Sequence, residues 1–242
     1  VFHIAAQINV RESVKNPIED AKINILGSLN IIESFYQNLS SNNKKSKIIF
    51  TSTGGAIYGD AKIIPTPETY LEFPLSPYGI AKLSVEKYLN YYLNIFKLPY
   101  IALRLGNVYG PKQNSKGEAG VIAIFCDKMI SGKQPFINGS GRQTRDFVFV
   151  KDVVDAAVLA MKNKKSGVFN IGTGKETDIN TIFRKLKKLI GANCKEIHNP
   201  RKQGEQKRSC LDYKKAQKEL KWIPKYDLDK GLKETVEWFK NR

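Results

Sequence analysis

From Tyr78 to about Lys97 the chain reads as a single helix that is apolar nearly all round, through Ile80, Leu83, Val85, Tyr88, Leu89, Tyr91, Tyr92, Ile95 and Phe96. A helix without a polar stripe is buried on more than one side. One face can cover a sheet, and the other then needs a partner. Ser76 and Pro77 give this helix a defined start. Ahead of it lie an apolar strand from Lys47 to Ser52 and a long loop from Thr53 to Pro77, broken by Pro65, Pro67 and Pro74. Loops of that length in compact domains are usually functional.

The first turn of the helix carries Tyr78 and Lys82, which share one helix face. An ammonium beside a phenol favours the phenolate and lowers the tyrosine pKa from its ordinary value of about 10. That makes a base usable near neutral pH. Thr53 offers a hydroxyl at the carboxyl edge of the strand. Hydroxyl, phenol and ammonium together suit removal of a proton from an alcohol while a hydride leaves its carbon. The pair alone is a weak signal, since a helix rich in Tyr, Leu and Lys usually sets a buried ring beside a solvated charge.

Read together, Thr51-Ser52-Thr53-Gly54-Gly55-Ala56-Ile57-Tyr58-Gly59 and Ser76-Pro77-Tyr78-Gly79-Ile80-Ala81-Lys82 resemble the extended short-chain dehydrogenase/reductase family, in its nucleotide-sugar epimerase branch. The resemblance runs from about Phe2 to Phe239. It implies an α/β fold: a Rossmann-type doubly wound parallel sheet with a smaller carboxyl-terminal α/β substrate domain. Residues 1–107 and about 146–172 would form the NAD-binding part, and residues 108–145 and 173–242 the nucleotide-sugar part.

The family's chemistry implies NAD as cofactor and a UDP-sugar of the UDP-glucose or UDP-galactose type as substrate, inverted at C4 through a transient 4-keto sugar. Thr53, Tyr78 and Lys82 would be catalytic. Ala5, Ala6, Gln7, Asn24 and Ser52 would join Tyr78 and Lys82 around the cofactor. Asn24 in Asn24-Ile25-Leu26-Gly27-Ser28 matches a family Asn that holds active-site backbone beside the cofactor, although by itself an Asn within a helix is either exposed or employed. Asn107, Val121 and Arg145 would bind the nucleotide sugar, Arg145 through a phosphate, which a planar and permanent cation suits. In Arg201-Lys202-Gln203-Gly204-Glu205 either Arg201 or Lys202 would serve the phosphates, and Glu205 would accept ribose hydroxyls. Leu105 stands where the family usually has Tyr.

Sister dehydratases and decarboxylases place carboxylates directly after the Thr, where this chain has Gly54 and Gly55. Glycine transfers no proton, so simple epimerisation is favoured. No Gly-x-x-Gly-x-x-Gly follows a strand, and the chain opens on a strand read at Val1–Ala6. The expectation is that an amino-terminal part carrying the phosphate-binding loop is missing and that the sheet lacks its first strands. The 242 residues alone would then be an incomplete enzyme, or a non-catalytic nucleotide-sugar-binding fragment.

Charge and cysteine content narrow the remaining classes. The net charge of +17 would suit nucleic acid. The lysines, however, are spread over helix faces and loops with no aromatic–basic platform, so solvated charge with a diffuse pull on anionic substrates is the better reading. No apolar run reaches the roughly 20 residues of a membrane helix. Cys126, Cys194 and Cys210 are scattered and odd in number, and His3 and His198 are isolated, which argues for a reducing cytoplasm and against a metal site. The family's habit of pairing through the Tyr78–Lys97 helix implies a homodimer.

Overall fold

The computed structural model of the chain describes residues 1–39, 46–116, 120–201 and 206–242. The amino-terminal half holds β1 (Phe2–His3), α1 (Val10–Lys15), α2 (Pro17–Ala21), α3 (Gly27–Gln37), β2 (Ile48–Thr53), α4 (Gly54–Ile57), α5 (Pro77–Phe96) and β3 (Tyr100–Leu105). There follow β4 (Asn107–Tyr109), α6 (Val121–Ile130), β5 (Ile137–Asn138), β6 (Thr144–Arg145), β7 (Phe147–Phe149), α7 (Val150–Lys162) and β8 (Gly167–Ile171). The chain closes with β9 (Thr177–Asp178), α8 (Ile179–Ile190), β10 (His198–Asn199) and α9 (Leu228–Lys240).

Among the described residues the main sheet has four parallel strands in the order β1-β2-β3-β8. Successive strand residues face opposite sides, and β2 and β3 are apolar on both. Ile48 and Phe50 of β2, with Tyr100 and Ala102 of β3, pack against Ile32 of α3 and Val85, Leu89 and Tyr92 of α5. Ile49, Ile101 and Leu103 pack on the other side against Ala156 and Ala160 of α7 and Trp222. Burying a side chain such as Phe50 or Leu89 stabilises the fold by about 1.5–3 kcal/mol. Helices on both faces of a parallel sheet make the doubly wound architecture. A separate core gathers α6, α8 and α9 around Ile137 and Phe149, through Phe125, Phe183, Leu186 and Phe239.

Two expectations need correction. The strand read at Val1–Ala6 pairs only at Phe2 and His3, and of these only His3 is buried. The chain leaves the sheet at once, with Ile4 turned outward. The helix expected from Glu19 to Gln37 is interrupted at Lys22–Leu26, where the backbone makes a π-helical turn and the Gly27 N–H bonds to the Lys22 carbonyl. Such single turns often sit at functional places. This one swings Asn24 inward, where it is 2% exposed.

Candidate active site

The carboxyl end of β2 and the amino end of α5 meet over the sheet. Thr53, the last residue of β2, caps α4 by accepting the Ala56 N–H on Oγ1 (3.2 Å), which leaves its own proton to donate. Ser76 caps α5 by accepting the Gly79 N–H (3.2 Å). A Cβ on Gly79 would stand 2.6 Å from the Ala56 carbonyl oxygen, so glycine lets the two helix starts touch backbone to backbone. The Tyr78 N–H donates to Ser13 Oγ (3.2 Å), tying α1 to the same corner. Lys82 is 4% exposed. Its ammonium donates to the Thr51 carbonyl (3.0 Å) and lies 4.7 Å from the centre of the Phe50 ring and 5.9 Å from that of Tyr78.

The long loop ahead of α5 is pinned from below. Arg104 of β3, itself buried, donates to Glu86 of α5 (2.6 Å), to Glu72 (2.7 Å) and to the Tyr58 hydroxyl (2.8 Å). Tyr58 in turn donates to Asn170 Oδ1 of β8 (2.9 Å). A buried guanidinium with both of its carboxylates in place is satisfied, and removing either partner would strand a charge.

The electrostatics differ from the expectation drawn from spacing alone. Burial pushes the Tyr78 phenol up to about 12, and the Asp20 carboxylate adds in the same direction. Burial brings Lys82 down to about 8, opposed by the carboxylates of Asp20 and Glu86. The ammonium lies 5.9 Å from the centre of the Tyr78 ring, and burial remains the dominant effect on the phenol. The corner as it stands holds a protonated phenol, which can give a proton and, once a cationic partner or a sugar hydroxyl is seated, receive one.

The candidates for the cofactor side converge on one node. Asn24 Oδ1 accepts the Gln7 N–H (2.9 Å), and Asn24 Nδ2 donates to the Gln7 carbonyl (2.9 Å) and to Asp20 Oδ1 (2.9 Å). Gln7 Nε2 also donates to Asp20 Oδ1 (2.7 Å). Asn24 is therefore employed, holding the segment that leaves β1 through Ala5 and Ala6. Ser28 Oγ donates to the Asn24 carbonyl (2.6 Å) and meets His3 Nε2 (2.8 Å), so His3 is not isolated. Ser52, beside Thr53, is 4% exposed and its Oγ has no hydrogen-bond partner among the described residues. An orphaned buried hydroxyl at the carboxyl end of a central strand fits an edge that a bound dinucleotide would complete. The residues present fit NAD: Ser52, Tyr78, Lys82 and the Gln7–Asn24 clamp would hold it.

The candidates for the sugar nucleotide are more dispersed. Asn107 begins β4, exposed, with its N–H bonded to the Asp146 carbonyl (2.7 Å). Arg145 lies in β6, which pairs antiparallel with β9, and its guanidinium donates to the Thr144 carbonyl (2.7 Å). Val121 opens α6 and packs against the third core. Arg201 follows β10, whose pairing with β5 sets it against Gly139. There it joins Arg142, Lys207 and Arg208 around a cavity of about 250 Å³. Lys202 and Glu205 lie outside the described residues.

Residues that the sequence reading passed over join the two regions. The segment from Gln206 to Asp212 crosses directly over α4. Gln206 Nε2 bonds the Gly59 carbonyl, and the Leu211 side chain fills the place of a Cβ on Gly54, at 2.5 Å. Asp146 fastens the segment from within: its carboxylate, 1% exposed, accepts from Thr173 N (2.7 Å), Thr173 Oγ1 (2.6 Å), Gly174 N (3.1 Å) and Leu211 N (3.1 Å). Asp20 was missed as well, although it stands one helical turn before Asn24. Among the described residues no helix is long and apolar enough to cross a membrane.

A doubly wound parallel sheet, a Tyr–Lys pair on the helix that follows its second strand and a Thr at that strand's end are those of the short-chain dehydrogenase/reductases. The chain matches the family described as GDP-mannose 4,6 dehydratase over residues 1–235, and it belongs to that family of NAD-dependent epimerases and dehydratases. It is 46% identical over 241 residues to a putative UDP-glucose 4-epimerase of Methanocaldococcus jannaschii, an alignment covering 100% of this chain and 77% of that protein. Among solved structures, the UDP-glucose 4-epimerase of Thermotoga maritima with UDP-glucose is similar at a TM-score of 0.95 and 48% identity, over 100% of this chain and 77% of that one. The UDP-glucose 4-epimerase of Thermus thermophilus in complex with NAD is similar at a TM-score of 0.90 and 35% identity, over 99% of this chain and 76% of that one.

Proposed function

We propose that the protein epimerises a UDP-sugar of the UDP-glucose/UDP-galactose type at C4, with NAD as bound cofactor. Bound NAD would supply the hydride acceptor for the chemistry at C4, and Ser52, Tyr78, Lys82 and the Gln7–Asn24 clamp would hold it. Tyr78 takes the proton of the 4-hydroxyl and gives it back. Thr53 donates its free O–H to the C4 oxygen. Lys82, buried and cationic, holds the cofactor ribose and favours the phenolate once the site is filled. Residues 1–107 and about 146–172 hold the cofactor. Residues 108–145 and 173–242 hold the nucleotide sugar, with Asn107, Val121, Arg145 and Arg201 as its contacts, and Lys202 and Glu205 completing the set. The setting is cytoplasmic, in keeping with three buried cysteines that form no disulfide. Two chains pair through α5.

The observation that carries the choice of epimerase is the packing of Leu211 on Gly54. A dehydratase needs a further acid and base after the Thr, and here Leu211, 1% exposed, occupies the first of those places. The residue left to move protons is Tyr78. The test is product analysis: full-length protein given UDP-glucose yields UDP-galactose and no 4-keto-6-deoxy sugar by mass, and Tyr78→Phe lowers kcat by at least about 100-fold. A dehydrated product, or a Tyr78→Phe variant within tenfold of wild type, overturns the assignment.

A further inference from the structure

We propose that His3 is a positioning residue for the cofactor: its Nε2–H donates to Ser28 Oγ and so pins one end of residues 4–6, whose other end Gln7 pins to Asn24. The proposal rests on the reading, given above, that the Gln7–Asn24 clamp holds NAD.

From Val1 to Glu12 only His3 is buried, at 5% exposed. His3 Nε2 lies 2.8 Å from Ser28 Oγ. The Gln7 N–H and carbonyl each bond the Asn24 side-chain amide at 2.9 Å. His3 precedes Gln7 by four positions, and Asn24 precedes Ser28 by four, about one helical turn. The segment leaving β1 therefore runs opposite to the turn it is pinned to, and it is held at both ends. Ala5 and Ala6, read above as cofactor contacts, are strung between the two pins.

The direction of the first pin follows from the second partner of Ser28. Its Oγ lies 2.6 Å from the Asn24 carbonyl oxygen. A carbonyl only accepts, so the hydroxyl proton sits between those two oxygens. Ser28 then has lone pairs alone to offer the ring, and His3 Nε2 must carry the hydrogen. That fixes the tautomer, with Nδ1 as the lone-pair nitrogen of the neutral ring. A Ser that bonds back to the carbonyl four residues earlier commonly bends its helix, and here that carbonyl belongs to the middle residue of the π-helical turn. A neutral ring suits its surroundings. Its centre is 5.4 Å from that of Phe50, and the Lys82 ammonium is 4.7 Å from the same Phe50 centre. Burial, and then the Lys82 charge, lowers the His3 pKa. The backbone joins the same groups: Thr51 Oγ1 donates to the His3 carbonyl (3.3 Å), and the Thr51 carbonyl accepts from Lys82 (3.0 Å). His3 thus stands between the cofactor clamp and the anchor of Lys82.

The test compares His3→Gln, His3→Asn and His3→Phe in the full-length protein. The first sets an amide N–H where the ring has Nε2, the second sets it short, at the place of Nδ1, and the third keeps a ring on Phe50 without a donor. The Kd for NAD is measured by titrating protein stripped of nucleotide, with thermal unfolding to show that each variant is folded. His3→Asn and His3→Phe are expected to weaken NAD about tenfold, for one lost hydrogen bond, and His3→Gln to stay within about threefold of wild type. Should His3→Phe not fold, His3→Asn carries the comparison. Unchanged NAD affinity in a folded His3→Asn or His3→Phe variant overturns the proposal. So does a His3→Gln variant as weak as those two, which would leave the ring a packing element. The ring nitrogen chemical shifts of wild type give a reading without cofactor: a neutral His3 with its proton on Nδ1 overturns the proposal as well. Asn24→Ala separates His3 from the reading beneath it. If Asn24→Ala weakens NAD and His3→Phe does not, the clamp stands and His3 falls. If neither weakens NAD, the clamp itself falls, and His3 with it.

Discussion

At the scale of the residue, the unusual group is Lys82, a buried ammonium hydrogen-bonded to one backbone carbonyl. Its pKa in the fold is about 8, against 10.5 for the ordinary side chain. Between those two values the unfolded chain binds the extra proton, so the contribution of Lys82 to stability rises with pH across that window. Below about pH 8 the folded state carries the full penalty, and above 10.5 the penalty is gone. The difference amounts to about 3 kcal/mol at most. Lys82→Met removes the group. The unfolding free energy of wild type relative to Lys82→Met should therefore climb from pH 8 to pH 10.5, measured by urea denaturation at a series of pH values. Tyrosines whose phenols are raised, such as Tyr78 and Tyr100, titrate near 10 when unfolded and at about 12 in the fold, in wild type and variant alike, and so cancel in the difference. A flat difference would mean that Lys82 is solvated in solution.

At the scale of the element, α4 is the hinge of the site, four residues capped by Thr53 and roofed by Leu211. An Asp at the first turn of a helix normally helps it. Gly54→Asp is nevertheless expected to destabilise the protein by about 1–3 kcal/mol through overpacking, because Leu211 Cγ and both its methyls lie within 3.0 Å of the new Cβ. Thermal unfolding of Gly54→Asp, Leu211→Ala and the double variant closes a cycle, and the double variant should lose less than the sum of the two single variants. Simple additivity would show that Leu211 does not press on α4. This contact also marks the limit of what the sequence could say. The run of strand, loop and helix from Ile48 to Phe96 was legible because periodicity, Pro77 and the Ser76 cap all agree. The inner faces of β2 and α5 followed from it. The π-helical turn was not legible, since Asn24 looks merely tolerated until its partner Gln7 is placed. Nor was the crossing of Leu211 over Gly54, which joins residues far apart in the chain. The pKa of Tyr78 was misjudged for a related reason: spacing places Lys82 near the ring but says nothing of how dry the corner is, or of Asp20 across from it.

At the scale of the whole molecule, α5 presents an apolar stripe that nothing covers among the described residues. Along α5, Ile80, Tyr88, Tyr91 and Ile95 are 51%, 42%, 49% and 60% exposed. Their spacing sets them in one stripe, away from the face that Val85, Leu89 and Tyr92 press on the sheet. The net charge of +17 keeps separate copies apart at long range, yet this stripe carries no lysine between Ile80 and Tyr91 other than Lys87 at its margin. Apolar side chains in that number are worth burying, at about 1.5–3 kcal/mol each when fully covered. A second copy of the same stripe fits the requirement, because a two-fold interface places like against like. In solution the wild type should scatter light as two chains, and the paired change Tyr91→Glu with Ile95→Lys should scatter as one, with the near-ultraviolet circular dichroism of the core retained. Tyr78 opens the same helix, so separating the copies should also loosen its first turn and lower kcat more than it raises KM. A wild type that scatters as one chain at micromolar concentration would show that the stripe is not an interface between copies.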